Sequence, residues 1–231
     1  MPREVNVEIE SWPIRGVFRI SRGARTESKV VVVTIRDGDV IARGESAPNA
    51  RYNEDVDSVS AEIRGAAGAI GDGITREELL GVLHAGAARN ALDCALWDLE
   101  AKLTGTPIWK LAGLSGPIQP VVTAYTLSVD SPEAMGQAAA ENASRPLLKL
   151  KMTGDGADLD RVARIHENAP KARLIVDANE AWSVKFYLEI AAQLGALGVE
   201  MIEQPLPAGD DEGLRGIDRP LMLCADESCH D

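Results

Sequence analysis

The chain has 231 residues, room for one large domain or two modest ones, and its 45% of apolar side chains can supply a real core. A formal net charge of −12, with no local cluster of Lys or Arg, argues against a nucleic-acid surface, because phosphate contacts need a basic face. No stretch approaches the roughly 20 apolar residues of a membrane span, and the start, Met1-Pro2-Arg3-Glu4, lacks an apolar signal core, so a cytoplasmic protein away from membranes is expected. Cys94, Cys224 and Cys229 have neither metal-type spacing nor an even number, and read as ordinary buried thiols.

In chain order, residues 3–20 alternate weakly between apolar and polar and predict a strand. A polar loop, Ser21 to Glu27, leads to the β-branched strand 30–35. Asp37-Gly38-Asp39 then turns tightly into a strand over 40–45. A second loop follows over 49–54. Helical patterning begins near 55 and resumes at Thr75, where Glu78 completes a possible capping box. The strongest helix covers about 87–104, with Ala88, Leu92, Ala95, Leu96, Leu99 and Leu103 at three- and four-residue steps and Gly105 ending it. Residues 1–116 therefore read as an α+β domain, with Gly113 to Pro117 as its boundary.

From Pro120 the rhythm changes to strand–helix–strand. Strands are expected at 121–126, 147–151, 173–178, 199–204 and 220–226, with helices from Ser131, near 157–168 and near 183–197. Ser131 is a natural N-cap, with Pro132 at the first turn. This predicts a parallel α/β fold of the (β/α) TIM-barrel type over residues 117–231. Only 115 residues follow position 116, whereas a closed eight-stranded barrel needs about 200–250, so the barrel is expected to be incomplete, cut after its fifth strand.

The chemistry concentrates at the ends of these strands. Lys149 and Lys151 are two apart in a strand and point to one side of it. Asp177, Glu203 and Asp226 each end an apolar run, 26 and 23 residues apart, about one strand–helix–strand unit each. In parallel barrels the strand C-termini share one rim, so the two lysines and three acids would converge. Three carboxylates make a hard-oxygen set suited to Mg²⁺. A lysine beside a divalent cation can serve as a base, because neighbouring positive charge lowers its pKa. The pattern suggests removal of a proton next to a carboxylate. Each residue also has a plainer reading. Two lysines can decorate a solvated edge strand, Asp177 can cap the next helix, and Asp226-Glu227 can be a solvated pair.

The sequence resembles the enolase superfamily, in its muconate-lactonizing subgroup, over nearly its whole length. The likeness rests on Ala88-Arg89-Asn90-Ala91-Leu92-Asp93-Cys94-Ala95-Leu96-Trp97-Asp98-Leu99, on Lys149-Leu150-Lys151, and on Val176-Asp177-Ala178-Asn179-Glu180-Ala181-Trp182. It continues through Ile202-Glu203-Gln204-Pro205 and Ala225-Asp226-Glu227-Ser228. The resemblance implies Asp177, Glu203 and Asp226 as Mg²⁺ ligands, Lys151 as an acid/base, and Lys149 as a contact to the substrate carboxylate that tunes Lys151. It also implies that residues 1–116 form a capping domain whose loops close over the barrel.

Within that subgroup the segments Arg22 to Glu27, Pro48 to Tyr52 and Thr123 to Thr126 are most similar to dipeptide epimerases of the L-Ala-D/L-Glu type. This implies a small dipeptide as substrate, bound by Arg25, Tyr52, Thr126 and Lys149, with Arg25 gripping a glutamyl carboxylate. A second lysine base and the acids for the substrate amino group would lie beyond Asp231. A homo-oligomer is expected. Alternative readings are a muconate-type cycloisomerase or o-succinylbenzoate synthase using the same site, or a non-catalytic fragment. His84, His166 and His230 have no partner spacing and read as uninvolved, and Trp182 reads as rim packing.

Overall fold

The computed structural model describes residues 2–229, so His230 lies outside the described residues. The chain divides into two compact units, one of residues 1–14 with 27–118 and one of residues 15–26 with 119–231.

A three-stranded sheet runs in the order β1 (Glu4–Ile20), β2 (Gly23–Asp37), β3 (Val40–Ser46); all of it lies in the first unit except the tip of the β1–β2 hairpin, residues 15–26, which belongs to the second. Helices α1 (Val56–Gly71), α2 (Arg76–Val82), α3 (Ala87–Thr104) and α4 (Ile108–Leu111) follow. Thr75 caps α2, and Glu78 returns the bond to the Thr75 amide, completing the capping box. Gly105, left-handed, ends α3. Val31, Val33, Ile35 and Ala42 from the sheet meet Ile63 of α1 and Ala91, Leu92, Ala95 and Leu99 of α3 in one core. The fit is closest at Gly44, where an added Cβ would fall against the Ala91 carbonyl oxygen and 2.6 Å from the Ala95 nitrogen.

Three expectations need correction. The polar stretch after Arg22 is strand rather than loop, because β1 and β2 form one long hairpin joined only by Ser21 and Arg22, and pairing overrides the polar composition. Leu103, expected on the buried stripe of α3, is exposed, since the stripe ends one turn earlier at Leu99. The thiols expected to be buried are not: Cys94 and Cys229 are exposed, and Cys224 is half-buried.

The second unit is an α/β layer. Its parallel sheet runs in chain order: β4 (Tyr125–Leu127), β5 (Leu147–Lys151), β6 (Arg173–Asp177), β7 (Val199–Glu203), β8 (Met222–Cys224). Helices α5 (Pro132–Glu141), α6 (Asp158–Asn168) and α7 (Val184–Ala196) are the crossovers. Sequential parallel strands joined by helices are the first part of a (β/α) barrel. Leu148, Leu150, Leu174, Val176 and Ile202 form one side of the sheet and are buried in the core with Met135, Ile165, Tyr187 and Leu194 of the helices. The opposite positions are left for the site.

β4 is shorter than the expected 121–126, and Val121 is 88% exposed, because an outer strand with one neighbour pairs only where β5 lies beside it. β8, the other outer strand, is likewise reduced to three residues, after Pro220. Among the described residues no helix is long and apolar enough to cross a membrane.

Candidate active site

Register builds the site. Lys151 pairs with Asp177, Asp177 with Glu203, and Glu203 with Cys224, so the strands end level. The ladder runs one residue further: Met152 N donates to Asp177 O (2.9 Å), Ala178 N to Glu203 O (3.1 Å) and Gln204 N to Cys224 O (2.9 Å). Side chains alternate across a strand, so with Leu148 and Leu150 in the helix-facing core, Lys149 and Lys151 must take the other side. Thr126 pairs with Lys149 on the neighbouring strand β4.

There the charges interlock. Lys151 Nζ lies 2.5 Å from Asp177 Oδ2. Lys149 Nζ lies 2.9 Å from the same oxygen and 2.7 Å from the Glu203 carboxylate. The remaining Asp177 oxygen, Oδ1, accepts from Asn179 N at 2.9 Å. Asp177 is fully buried and Lys151 is 8% exposed, so these charges hold one another away from water. Burial opposes the Lys149 charge, but its bonds to Glu203 and Asp177 outweigh this and hold the amine above its usual pKa. Burial also pushes the Asp177 carboxyl up, and Lys151 and Lys149 together overcome it, leaving the acid below its ordinary value. Glu203 goes the other way: burial raises it, Lys149 lowers it, and the nearby charges of Asp177 and Asp226 raise it further.

That crowding of anions bears on a cation. Among the described residues, no three His, Cys, Asp or Glu side chains already stand as a group able to hold a metal ion. Lys149 and Lys151 engage Asp177 and Glu203, while Asp226, on the loop after β8, is exposed and acts on Glu203 through its charge. The donor chemistry suits a hard dication: three anionic oxygen-bearing side chains from successive strand ends, the Glu203 carboxyl raised by burial and by its acidic neighbours.

The other expected substrate contacts are placed less closely. Arg25, on β2 at the hairpin tip, is exposed, with its guanidinium 5.3 Å from the Phe18 ring centre. Tyr52 belongs to the first unit, at the end of the 3-10 turn Ala50–Tyr52, beneath the Arg51 guanidinium.

Several residues that hold the strand-end loops escaped the sequence reading. Gln204, buried and left-handed at φ 35°, accepts from Asp226 N and Ser228 N, both at 3.0 Å, through its side-chain oxygen. Its amide donates to Leu206 O and Ser228 Oγ, each at 2.8 Å, and so ties the Glu203 loop to the Asp226 loop. Asp158, fully buried, accepts from Thr153 N, Gly154 N and Arg161, and from Trp182 Nε1 at 2.9 Å. Trp182 is therefore more than rim packing: it joins the loop after β5 to the loop after β6. Glu227 is buried and ion-paired to Arg22, contrary to the reading of a solvated pair. The signal for Gln204 was present in Glu203-Gln204-Pro205, where a polar amide precedes a strand-ending proline. Nothing local marks the others.

A parallel β/α sheet that gathers two lysines and a row of acids at its strand ends has the layout of a (β/α)-barrel enzyme. Residues 2–113 match the family described as mandelate racemase / muconate lactonizing enzyme, N-terminal domain, and residues 134–231 match the enolase C-terminal domain-like family. The chain belongs to the enolase superfamily, in its mandelate racemase / muconate-lactonizing branch.

Among its relatives is the L-Ala-D/L-Glu epimerase of Escherichia coli (strain K12), 43% identical over 230 residues, which span 99% of this chain and 71% of that protein. An enolase family member from Agrobacterium tumefaciens with homology to dipeptide epimerases, solved with sodium and L-Ala-L-Glu, is 46% identical. It superposes with a TM-score of 0.92 over 99% of this chain and 70% of that one. The dipeptide epimerase of Enterococcus faecalis V583, solved with Mg and L-Leu-L-Tyr, is 28% identical with a TM-score of 0.90, covering 100% of this chain and 69% of that one.

Proposed function

We propose that the protein is a Mg²⁺-dependent dipeptide epimerase that inverts the α-carbon of an L-Ala-Glu-type substrate by removing the proton next to the carboxylate. The observation that carries this reading is the linked set Lys151–Asp177–Lys149–Glu203 at level strand ends. Kinship with the Escherichia coli, Agrobacterium and Enterococcus proteins supports the substrate class.

On this reading Lys149 binds the substrate carboxylate as an ammonium cation. Lys151, two residues along the same side, takes or returns the α-proton on one face, and inversion needs a second base that serves the opposite face. Asp177, Glu203 and Asp226 would hold Mg²⁺, which would supply positive charge where the substrate carboxylate gains electron density. Thr126, beside Lys149, and Tyr52 would contact the substrate. Arg25 would grip the glutamyl side chain through a bidentate guanidinium–carboxylate pair. Residues 1–116 would act as a capping domain and 117–231 as the first part of the catalytic barrel.

The test is α-proton exchange in D₂O followed by NMR, with Mg²⁺ and each Ala-Glu epimer. Deuterium should enter at the glutamyl α-carbon, and Lys151→Ala should abolish entry into the epimer whose α-proton faces it. Undiminished exchange of both epimers by Lys151→Ala would remove Lys151 from the chemistry. Calorimetry adds an independent check, since Glu203→Gln should weaken Mg²⁺ binding strongly by deleting one of three anionic donors. In an active enzyme, Arg25→Met should raise KM for Ala-Glu far more than for a dipeptide with an apolar second residue, by about 1.5–3 kcal/mol.

A further inference from the structure

Arg22 stands in the two-residue turn of the β1–β2 hairpin, a surface position where an arginine usually meets only water. Here its guanidinium is consumed. Nη1 donates to the Asn179 carbonyl oxygen and to Glu180 Oε2, both at 2.9 Å, and Nη2 donates to Glu227 Oε1 at 2.7 Å. Ser21 Oγ adds a bond to the same Asn179 carbonyl at 3.1 Å, and Val129 N donates to Arg19 O, also at 3.1 Å. All of these groups lie in the second unit.

The partners are not ordinary surface groups. Asn179 and Glu180 are left-handed, at φ 44° and 67°, a conformation that non-glycine residues hold only when their surroundings enforce it. Glu180 N donates to Gln204 O at 2.9 Å, and Glu180 Oε1 accepts from Ala208 N at 2.8 Å, so its carboxylate bridges Arg22 to the loop after β7. The Glu227 side chain is 3% exposed; beyond Arg22, its Oε1 accepts a 3.4 Å bond from the Asn179 amide. One guanidinium therefore reaches the loop after β6, two residues past Asp177, and the loop after β8, one residue past Asp226. Through Glu180 it also reaches the loop after Glu203. Its five donors in a rigid fork suit several acceptors at once, which a lysine ammonium would meet less well.

We propose that Arg22 is a positioning residue: it latches the hairpin tip to the loops that carry the three acids, and so fixes Arg25, three residues along the same tip, relative to the site. The part that concerns Arg25 as a specificity group rests on the function proposed above. The latch itself does not.

Hydrogen–deuterium exchange on the full chain, followed by mass spectrometry, tests it. In Arg22→Ala, peptides covering 17–26 and 178–182 should exchange about tenfold faster or more, the scale of losing hydrogen bonds to charged groups, while β5 stays within about twofold of wild type. Arg22→Lys should fall between. Unchanged exchange in both peptides would overturn the proposal, and so would a uniform rise across the second unit, which would mark a general structural role. Should Arg22→Ala fail to fold, Glu227→Gln, which keeps the shape and removes the charge, should loosen the same two peptides, and no change in them would equally refute the latch.

A kinetic arm separates the two levels. If Ala-Glu is a substrate, Arg22→Ala should raise its KM relative to an apolar dipeptide, in the direction expected of Arg25→Met. If neither dipeptide turns over, the function fails and the exchange result still decides the latch.

Discussion

Two buried strands, one from each unit, are held in different ways: Val30–Ile35 of β2 and Leu147–Lys151 of β5. Both alternate, and both bury aliphatic side chains against helices. In β2 the neighbouring elements answer with more hydrocarbon, down to backbone contact between Gly44 and α3. In β5 two positions on the other side, 149 and 151, are lysines, and the neighbouring strands answer with carboxylates. The first arrangement is held by shape, the second by matched charge. Shape tolerates changes of pH and salt but not of volume. Buried matched charge tolerates neither the loss of a partner nor a change in its ionisation.

The largest effect should come from breaking the match. Asp177→Ala strands Lys151 and Lys149 with one carboxylate fewer in a dry site, and should destabilise the second unit by about 3–5 kcal/mol. Guanidinium unfolding of the metal-free protein measures this, and a loss under about 1 kcal/mol would mean the lysines escape to water. Next is the shape-held unit. Gly44→Val drives side-chain carbon into the Ala91 and Ala95 backbone and should cost about 1–3 kcal/mol, or more if α3 cannot shift. The same melt, followed through Trp97 fluorescence in the first unit, reads it.

A subtler disruption separates packing from hydrogen bonding at the loop joint. Trp182→Phe keeps a large aromatic beside Phe186 but deletes the donor to Asp158, and should cost about 1–2 kcal/mol. An unchanged midpoint would show that Gly154 and Arg161 satisfy Asp158 by themselves.

The smallest expected effect is with pH. Bonds from Arg161 hold the Asp155 carboxyl well below the ordinary range against a smaller effect of burial. A depressed folded-state pKa contributes stability above the unfolded value, about 3.9, and that contribution fades as pH falls below it. Wild type should therefore lose stability in the second unit between about pH 5 and 2 more steeply than Asp155→Asn. Parallel acid limbs in the two proteins would contradict this.

What could be read from the sequence follows from the range of the forces. The β5, β6 and β7 ends, the capping box at Thr75 and the end of α3 at Gly105 are written in adjacent residues, and the structure has them where local pattern puts them. The level alignment of Lys151, Asp177 and Glu203 was legible too, because unit-length spacing along a parallel sheet fixes it. Arg22 was not, since its partners stand 157, 158 and 205 residues away, and nothing near it in sequence distinguishes it from any loop arginine. The burial of Glu227 was hidden for the same reason. An acidic dipeptide looks solvated until a distant guanidinium covers it. The short outer strands were over-read because β-propensity speaks of side chains and not of how many neighbours a strand finds.

The alternation within Leu147-Leu148-Lys149-Leu150-Lys151 carries one more consequence. A strand repeats every two residues, so sliding β5 by a single place would turn both amines into the hydrocarbon layer and Leu148 and Leu150 toward the acids. A slip of one place cannot be half right. The lysines of β5 thus also make the nearest wrong alignment costly, since it would bury two charges in hydrocarbon.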